Sequence, residues 1–277
     1  MVFPSAFIWY KSFIPILLAI IMFGIGFNVK RCNFKSVWVY RKIICLVVVC
    51  KYLIMPIIAL TIAYLFRFSF FETIGMVIIS ASPGGTSANV MSYLSKSNVA
   101  VTIVLTFLTT LLSPILIPLI IYLFFHKQIN IPVFSIFLNL LLIIIVPIAI
   151  GIIINRFYAN QVVVVKKIFP SLSILAIALI IACVVALSRD KILHISWLII
   201  IAVIMFNLIC YGLAAMFLQL FTSLPHNLKQ SVIFEFGLFD TGLSVVVATT
   251  FFAPAAALPA AMLSFIEHIS ASYSVTC

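Results

Sequence analysis

The sequence predicts an all-α polytopic membrane protein of about nine transmembrane helices, and three observations carry that expectation. The 277 residues are 66% hydrophobic and 8% charged, with a mean hydropathy of +1.38, a balance that excludes a water-soluble domain. The apolar residues fall in runs of roughly 20–25, the length of a helix that crosses a bilayer, whereas barrel strands would be half as long and alternate in polarity. Two of the runs are interrupted by glycine and polar residues, and irregular backbone at membrane depth survives only where it is buried in protein or lines a site.

In order, the runs cover residues 12–29 (A), 42–66 (B), 73–95 (C), 97–125 (D), 131–155 (E), 169–188 (F), 196–222 (G), 230–251 (H) and 252–276 (I). Run A follows M-V-F-P-S-A-F-I-W-Y-K, which lacks a basic segment ahead of its apolar stretch, so no cleaved signal peptide is expected. Run B holds Lys51 as its tenth residue, about 13 Å along a helix and near the membrane midplane. Run C breaks at Pro83-Gly84-Gly85, beside Thr86, Ser87 and Asn89. Run D carries Thr102, Thr106, Thr109 and Ser113 at i, i+4, i+7 and i+11, one helical face, while Pro114 and Pro118 are expected to bend or loosen its outer half. Runs E, F and G are plain apolar spans. Run H breaks at Gly237 and Gly242 and contains Glu235 and Asp240; run I contains Glu267 and His268.

The net charge of +11 would suggest nucleic acid in a soluble chain. Here the basic residues collect at span ends, so they are topology signals and no nucleic-acid partner is expected. Lys30, Arg31, Lys35, Arg41, Lys42, Lys96, Arg156, Lys166, Lys167 and Lys229 lie on one side, against Lys11, Arg67, Lys127, Arg189 and Lys191 on the other. Ten against five predicts an outside N-terminus and a cytoplasmic C-terminus in a cell membrane. The six cysteines show no metal-ligand or redox spacing and read as small hydrophobes. His126, His194 and His226 sit at span ends and read as interfacial.

Runs C and H are each the third of four, in A–D and F–I, with E between. The two sets would then enter from opposite sides, the signature of inverted repeats whose broken helices meet near the midplane. Each buried charge costs roughly 2.5–3.5 kcal/mol on insertion scales, so Lys51 is expected to pair with Glu235 or Asp240. The hydroxyl face of run D beside the break in C suits coordination of a cation by hard oxygens.

The string S-P-G-G-T-S-A-N-V-M-S-Y-L-S-K-S-N-V-A (82–100) resembles the signature of the bile acid:sodium symporter family, bacterial type. I-M-F-G-I-G-F-N-V-K (21–30), Y-L-I-M-P (52–56) and E-F-G-L-F-D-T-G-L (235–243) match in family order. The resemblance implies one domain over 1–277, with panel helices at about 12–29, 131–155 and 169–188 and core helices at about 42–125 and 196–276. It implies no enzyme and no cofactor, but sodium-coupled symport of a small organic anion (bile acid, pantoate or keto acid-like) by alternating access. Bacterial members usually have ten spans, and this chain begins where the first would have ended.

Carried over residue by residue, the resemblance gives one sodium position to Asn89, Thr102, Thr106 and Glu235, with Ala88 in place of a small hydroxyl residue. Gly84, Gly85, Thr86, Asp240, Thr241 and His268 fall along the substrate path. The other sodium position, which in the family uses two glutamines, holds Lys51 and Phe239 here, and Asp240 replaces the usual asparagine. The second site is therefore expected to be lost, with the Lys51 ammonium standing in for its charge and Asp240 available to balance it. The alternative function is sodium-independent or proton-coupled transport of the same anion class. A non-transporting membrane receptor would be expected to add a soluble segment or a long charged tail.

Overall fold

The computed structural model describes residues 13–28, 31–157, 197–219 and 224–276, with isolated positions between 172 and 182. Run F falls largely outside the described residues, as do Lys11, Lys30, Lys166, Lys167, Arg189, Lys191 and His194. The described residues are helical throughout their ordered elements: α1 (Ile14–Asn28), α2 (Arg31–Leu65), α3 (Phe70–Ser80), α4 (Thr86–Leu94), α5 (Val99–Phe125), α6 (Val133–Phe157), α7 (Trp197–Gln219), α8 (His226–Gly237), α9 (Thr241–Phe251) and α10 (Leu258–Thr276). A 3-10 turn, Pro254–Ala257, leads into α10. Among them, Val39–Leu65 of α2 and the whole of α5, α6 and α7 are long and apolar enough to cross a membrane.

Runs C and H are each two half-helices. The halves hold 11 and 9 residues in α3 and α4, and 12 and 11 in α8 and α9; at 1.5 Å per residue each covers about half a bilayer. Pro83 lacks an N–H and disfavours helical backbone at Ser82, which ends α3. The two breaks then satisfy each other. Gly85 N–H donates to the Leu238 carbonyl at 3.1 Å and Asp240 N–H to the Pro83 carbonyl at 2.9 Å, an antiparallel bridge centred on Gly84 and Phe239. This pairing supplies partners to backbone that left its helices where water is absent. Around the bridge α3 packs on α9, and α4 on α8.

The helices α5, α2, α7 and α10 surround the crossing, and α1 packs chiefly along α6. That contact is close because it is made at glycines: a Cβ on Gly26 would overlap the Ile148 backbone, and one on Gly151 the Phe23 carbonyl. In α6 the turn Leu141–Ile145 is a π-helix, two residues before Pro147, whose ring cannot accommodate the carbonyl of a regular preceding turn. Pro114 and Pro118, expected to bend run D, lie inside an α5 that is continuous from Val99 to Phe125. The α4–α5 connection is tied to the start of α8, with Asn98 N–H donating to the Asn227 carbonyl at 3.1 Å and the Ser231 hydroxyl to the Asn98 carbonyl at 3.0 Å.

Candidate functional site

The end of α8 at Gly237 frees carbonyls that need new partners. In a continued helix the Glu235 carbonyl would receive the N–H of Phe239. The chain turns away after Gly237, and the Phe239 N–H donates instead to Glu267 Oε2 at 3.0 Å. The Glu235 carbonyl is taken by the Lys51 ammonium at 2.7 Å. Asn207 Nδ2 donates to the Gly237 carbonyl at 2.9 Å, and the Ser270 hydroxyl holds Asn207 by its Oδ1 at 2.7 Å. A cation at a half-helix C-terminus also meets the negative end of the helix dipole.

Lys51 and Glu235 are both fully buried, and the ammonium lies 3.3 Å from Glu235 Oε1 and 5.0 Å above the Phe239 ring. Of the two carboxylates available in the sequence, the ion pair uses Glu235 rather than Asp240. Thr106 donates to Glu235 Oε2 at 3.1 Å, and the Thr109 hydroxyl lies 3.0 Å from Oε1. Gly84 N–H points to that same Thr109 hydroxyl at 3.3 Å. Gly84 has to be glycine for space, because a Cβ there would overlap the Glu235 carboxylate. Tyr52 donates to the Thr109 carbonyl at 2.7 Å, so α2 and α5 are pinned together on either side of the pair.

The four residues expected to hold sodium are therefore partly assembled. Thr106 and Glu235 touch. Thr102 lies one turn away on the same buried face, with its hydroxyl 2.5 Å from that of Ser92. Asn89 Oδ1 is buried with no hydrogen-bond partner, the kind of acceptor that a cation satisfies. All four offer oxygen, which fits a hard cation such as sodium and not a soft metal.

On the other side of the bridge, Gly85 is the N-cap of α4 and no side chain caps that helix; Thr86 is half-buried at its first position. The corresponding end of α9 is closed, since Asp240 Oδ1 accepts the Leu243 N–H at 2.9 Å. Thr241 approaches Glu267 Oε1 at 3.4 Å. The His268 side chain is 49% exposed, with Nδ1 3.8 Å from Glu267 Oε1. Glu267, not His268, is the residue α10 sends into the crossing. Thr109 and Glu267 belong to the site as well, the first from the hydroxyl stripe of run D and the second a carboxylate inside an apolar run. An apolar cavity of about 330 Å³ opens between α2 and α7, lined by residues including Cys50, Met55, Leu213 and Phe236.

The profile of the Sodium Bile acid symporter family matches residues 15–196. An uncharacterized sodium-dependent transporter of Bacillus subtilis is 32% identical over 274 residues, covering 99% of this chain and 85% of that protein. A probable chloroplastic sodium/metabolite cotransporter of Oryza sativa is 21% identical over 276 residues, covering 97% of this chain and 66% of its own length. A second such cotransporter, from Arabidopsis thaliana, is 26% identical over 282 residues, with 97% and 68% covered.

Proposed function

The chain belongs to the sodium bile acid symporter family, and from that premise we propose that it is a secondary active transporter carrying a small organic anion together with sodium by alternating access. The observation that carries this reading is the crossing of two interrupted helices around a buried set of charges, the architecture in which transporters hold substrate and coupling ion at the midplane. Asn89, Thr102, Thr106 and Glu235 would coordinate one sodium ion. The uncapped start of α4 at Thr86, with Thr241 across the bridge, would face the anion, while Gly84 and Gly85, whose N–H groups are held by Thr109 and Leu238, would shape its approach.

The fold reading goes with it: nine crossings in two inverted repeats, the core rocking against a panel that includes α1 and α6. Asn98 and Asn227 meet, so an even number of crossings separates them. Helices α5, α6 and α7 would supply three, and the apolar run 169–188 has the length for a fourth. The charge asymmetry then sets the N-terminus outside in the cell membrane.

A second reading of the coupling is favoured by the Lys51–Glu235 pair. A tethered ammonium on the α8 carbonyl does the electrostatic work of a second sodium ion and lowers the number of ions carried. Purified protein screened by thermal shift against organic anions, with and without sodium, identifies the substrate class; uptake with choline replacing sodium then tests coupling. Sodium-dependent stabilisation and uptake are expected, with one ion per cycle. Uptake unchanged in choline at every pH would remove sodium from the mechanism.

A further inference from the structure

Four charged side chains are buried around the crossing: Lys51, Glu235, Asp240 and Glu267. The Lys51 charge is matched by Glu235, whose carboxylate and carbonyl it contacts. Asp240 and Glu267 remain, 4% and 1% exposed, with no ammonium or guanidinium in contact with either among the described residues. They bracket one short stretch of backbone. Glu267 accepts the Phe239 N–H and approaches the Thr241 hydroxyl, the residues on each side of Asp240. Asp240 accepts the Leu243 N–H through Oδ1, while its Oδ2 is buried without a partner. Both carboxylates thus hold hydrogen-bond donors of one short stretch, residues 239–243.

The donors around this stretch, two N–H groups, one hydroxyl and the positive end of α9, stabilise a single negative charge. Two ionised carboxylates at one buried position repel, and such pairs retain a proton. We propose that Asp240 and Glu267 form a proton-binding site, separate from the Lys51–Glu235 pair. The pair takes one proton from water, its charge passing from −2 to −1, and returns that proton when the crossing opens to water again. A proton needs neither a shell of ligands nor space, which suits two groups so nearly without accessible surface. The titratable groups around the crossing are Lys51 and Tyr52 from α2, Cys210 and Tyr211 from α7, Glu235 from α8 and His268 from α10; α4 and α5 bring Asn89, Thr106 and Thr109, and α1, α3 and α9 contribute apolar side chains and hydroxyls. A role for this proton in coupling rests on the transport reading above, but its presence does not.

Infrared spectra of the purified full chain in lipid, at neutral pH in H2O and D2O, test the site without a substrate. The expected result is the carbonyl stretch of a neutral carboxylic acid, lost at strongly alkaline pH. It should be absent from Asp240→Asn and from Glu267→Gln alike, because either change leaves one carboxylate free to ionise, and retained in Glu235→Gln. Wild-type protein with no such band would overturn the proposal even if the variants fail to fold. So would a band lost only in Glu235→Gln, or one that sodium chloride abolishes at fixed pH, which would make the pair a sodium site.

Discussion

Lys51 Nζ lies 2.7 Å from the main-chain carbonyl of Glu235 and 3.3 Å from the carboxylate of the same residue. One side chain from α2 therefore closes both the backbone valence left by the end of α8 and the charge that α8 brings into the core. Coordination by a freed carbonyl and a carboxylate at a broken helix is the arrangement expected of a bound cation. Here the cation is covalently attached, so its contribution cannot be removed by changing the ionic medium.

Breaking the pair from one side should be costly. Lys51→Met leaves Glu235 buried with the Thr106 and Thr109 hydroxyls alone, and a loss of about 3–5 kcal/mol is expected. Glu235→Leu should cost a similar amount. The double variant should lose much less than the sum of the two, because no unpaired charge remains. Thermal unfolding in detergent at fixed salt measures the three values; an additive double variant would show that the two groups do not interact.

Sodium binding should report the same replacement. Wild-type protein is expected to gain stability with sodium along a one-site curve, reaching about 2.7 kcal/mol at a hundredfold excess over Kd, and Thr106→Ala should flatten it. Converting both altered positions, Lys51→Gln with Phe239→Gln, should steepen the dependence by restoring neutral oxygen ligands. A double variant with the wild-type sodium curve would contradict the idea that Lys51 fills a cation position.

These relationships differ in how far they were legible in the sequence. Pro83-Gly84-Gly85 and Gly237–Gly242 announced both breaks, since proline and glycine punctuate a helix wherever it lies, and the half-helices end within a few residues of them. That the buried charges need partners also followed from the sequence alone. The choice of Glu235 over Asp240 did not, because it depends on which carbonyl the end of α8 leaves free. Asp240 before Thr241 is itself an N-cap pattern, a local signal that competes with pairing to Lys51 and prevails for Oδ1. Glu267 and His268 are adjacent on a helix, about 100° apart. Run I is apolar on most of its circumference, so its pattern did not decide which of them faces inward.

Thr109 links the pair to the bridge, being within reach of Glu235 Oε1, the Gly84 N–H and its own Leu105 carbonyl at 2.9 Å. Thr109→Val keeps the volume and removes the hydroxyl. A hydrogen bond to a charged group is worth about 1.5–3 kcal/mol, and a loss in that range is expected in thermal unfolding. Thr61→Val makes the comparison, since among the described residues the Thr61 hydroxyl bonds only to the Ile57 carbonyl of its own exposed helical turn; its loss should stay below about 0.5 kcal/mol.

Glycine substitutions separate close approach from mere flexibility. A methyl group on Gly84 would overlap the Glu235 carboxylate, and one on Gly26 the Ile148 backbone, whereas one on Gly212 of α7 meets nothing within 4 Å. Gly26→Ala should therefore force α1 from α6 and destabilise by about 1–3 kcal/mol, the range for overpacked cores. Gly84→Ala should displace Glu235 from Lys51 and Thr109 and abolish sodium-dependent stabilisation. Gly212→Ala should gain about 0.5–1 kcal/mol from helix propensity alone. Unfolding temperatures of the three variants, with and without sodium, give the comparison. If Gly84→Ala kept both its stability and its sodium response, the Glu235 carboxylate would not be confined by the bridge, and the geometry assigned to the cation position would have to be abandoned.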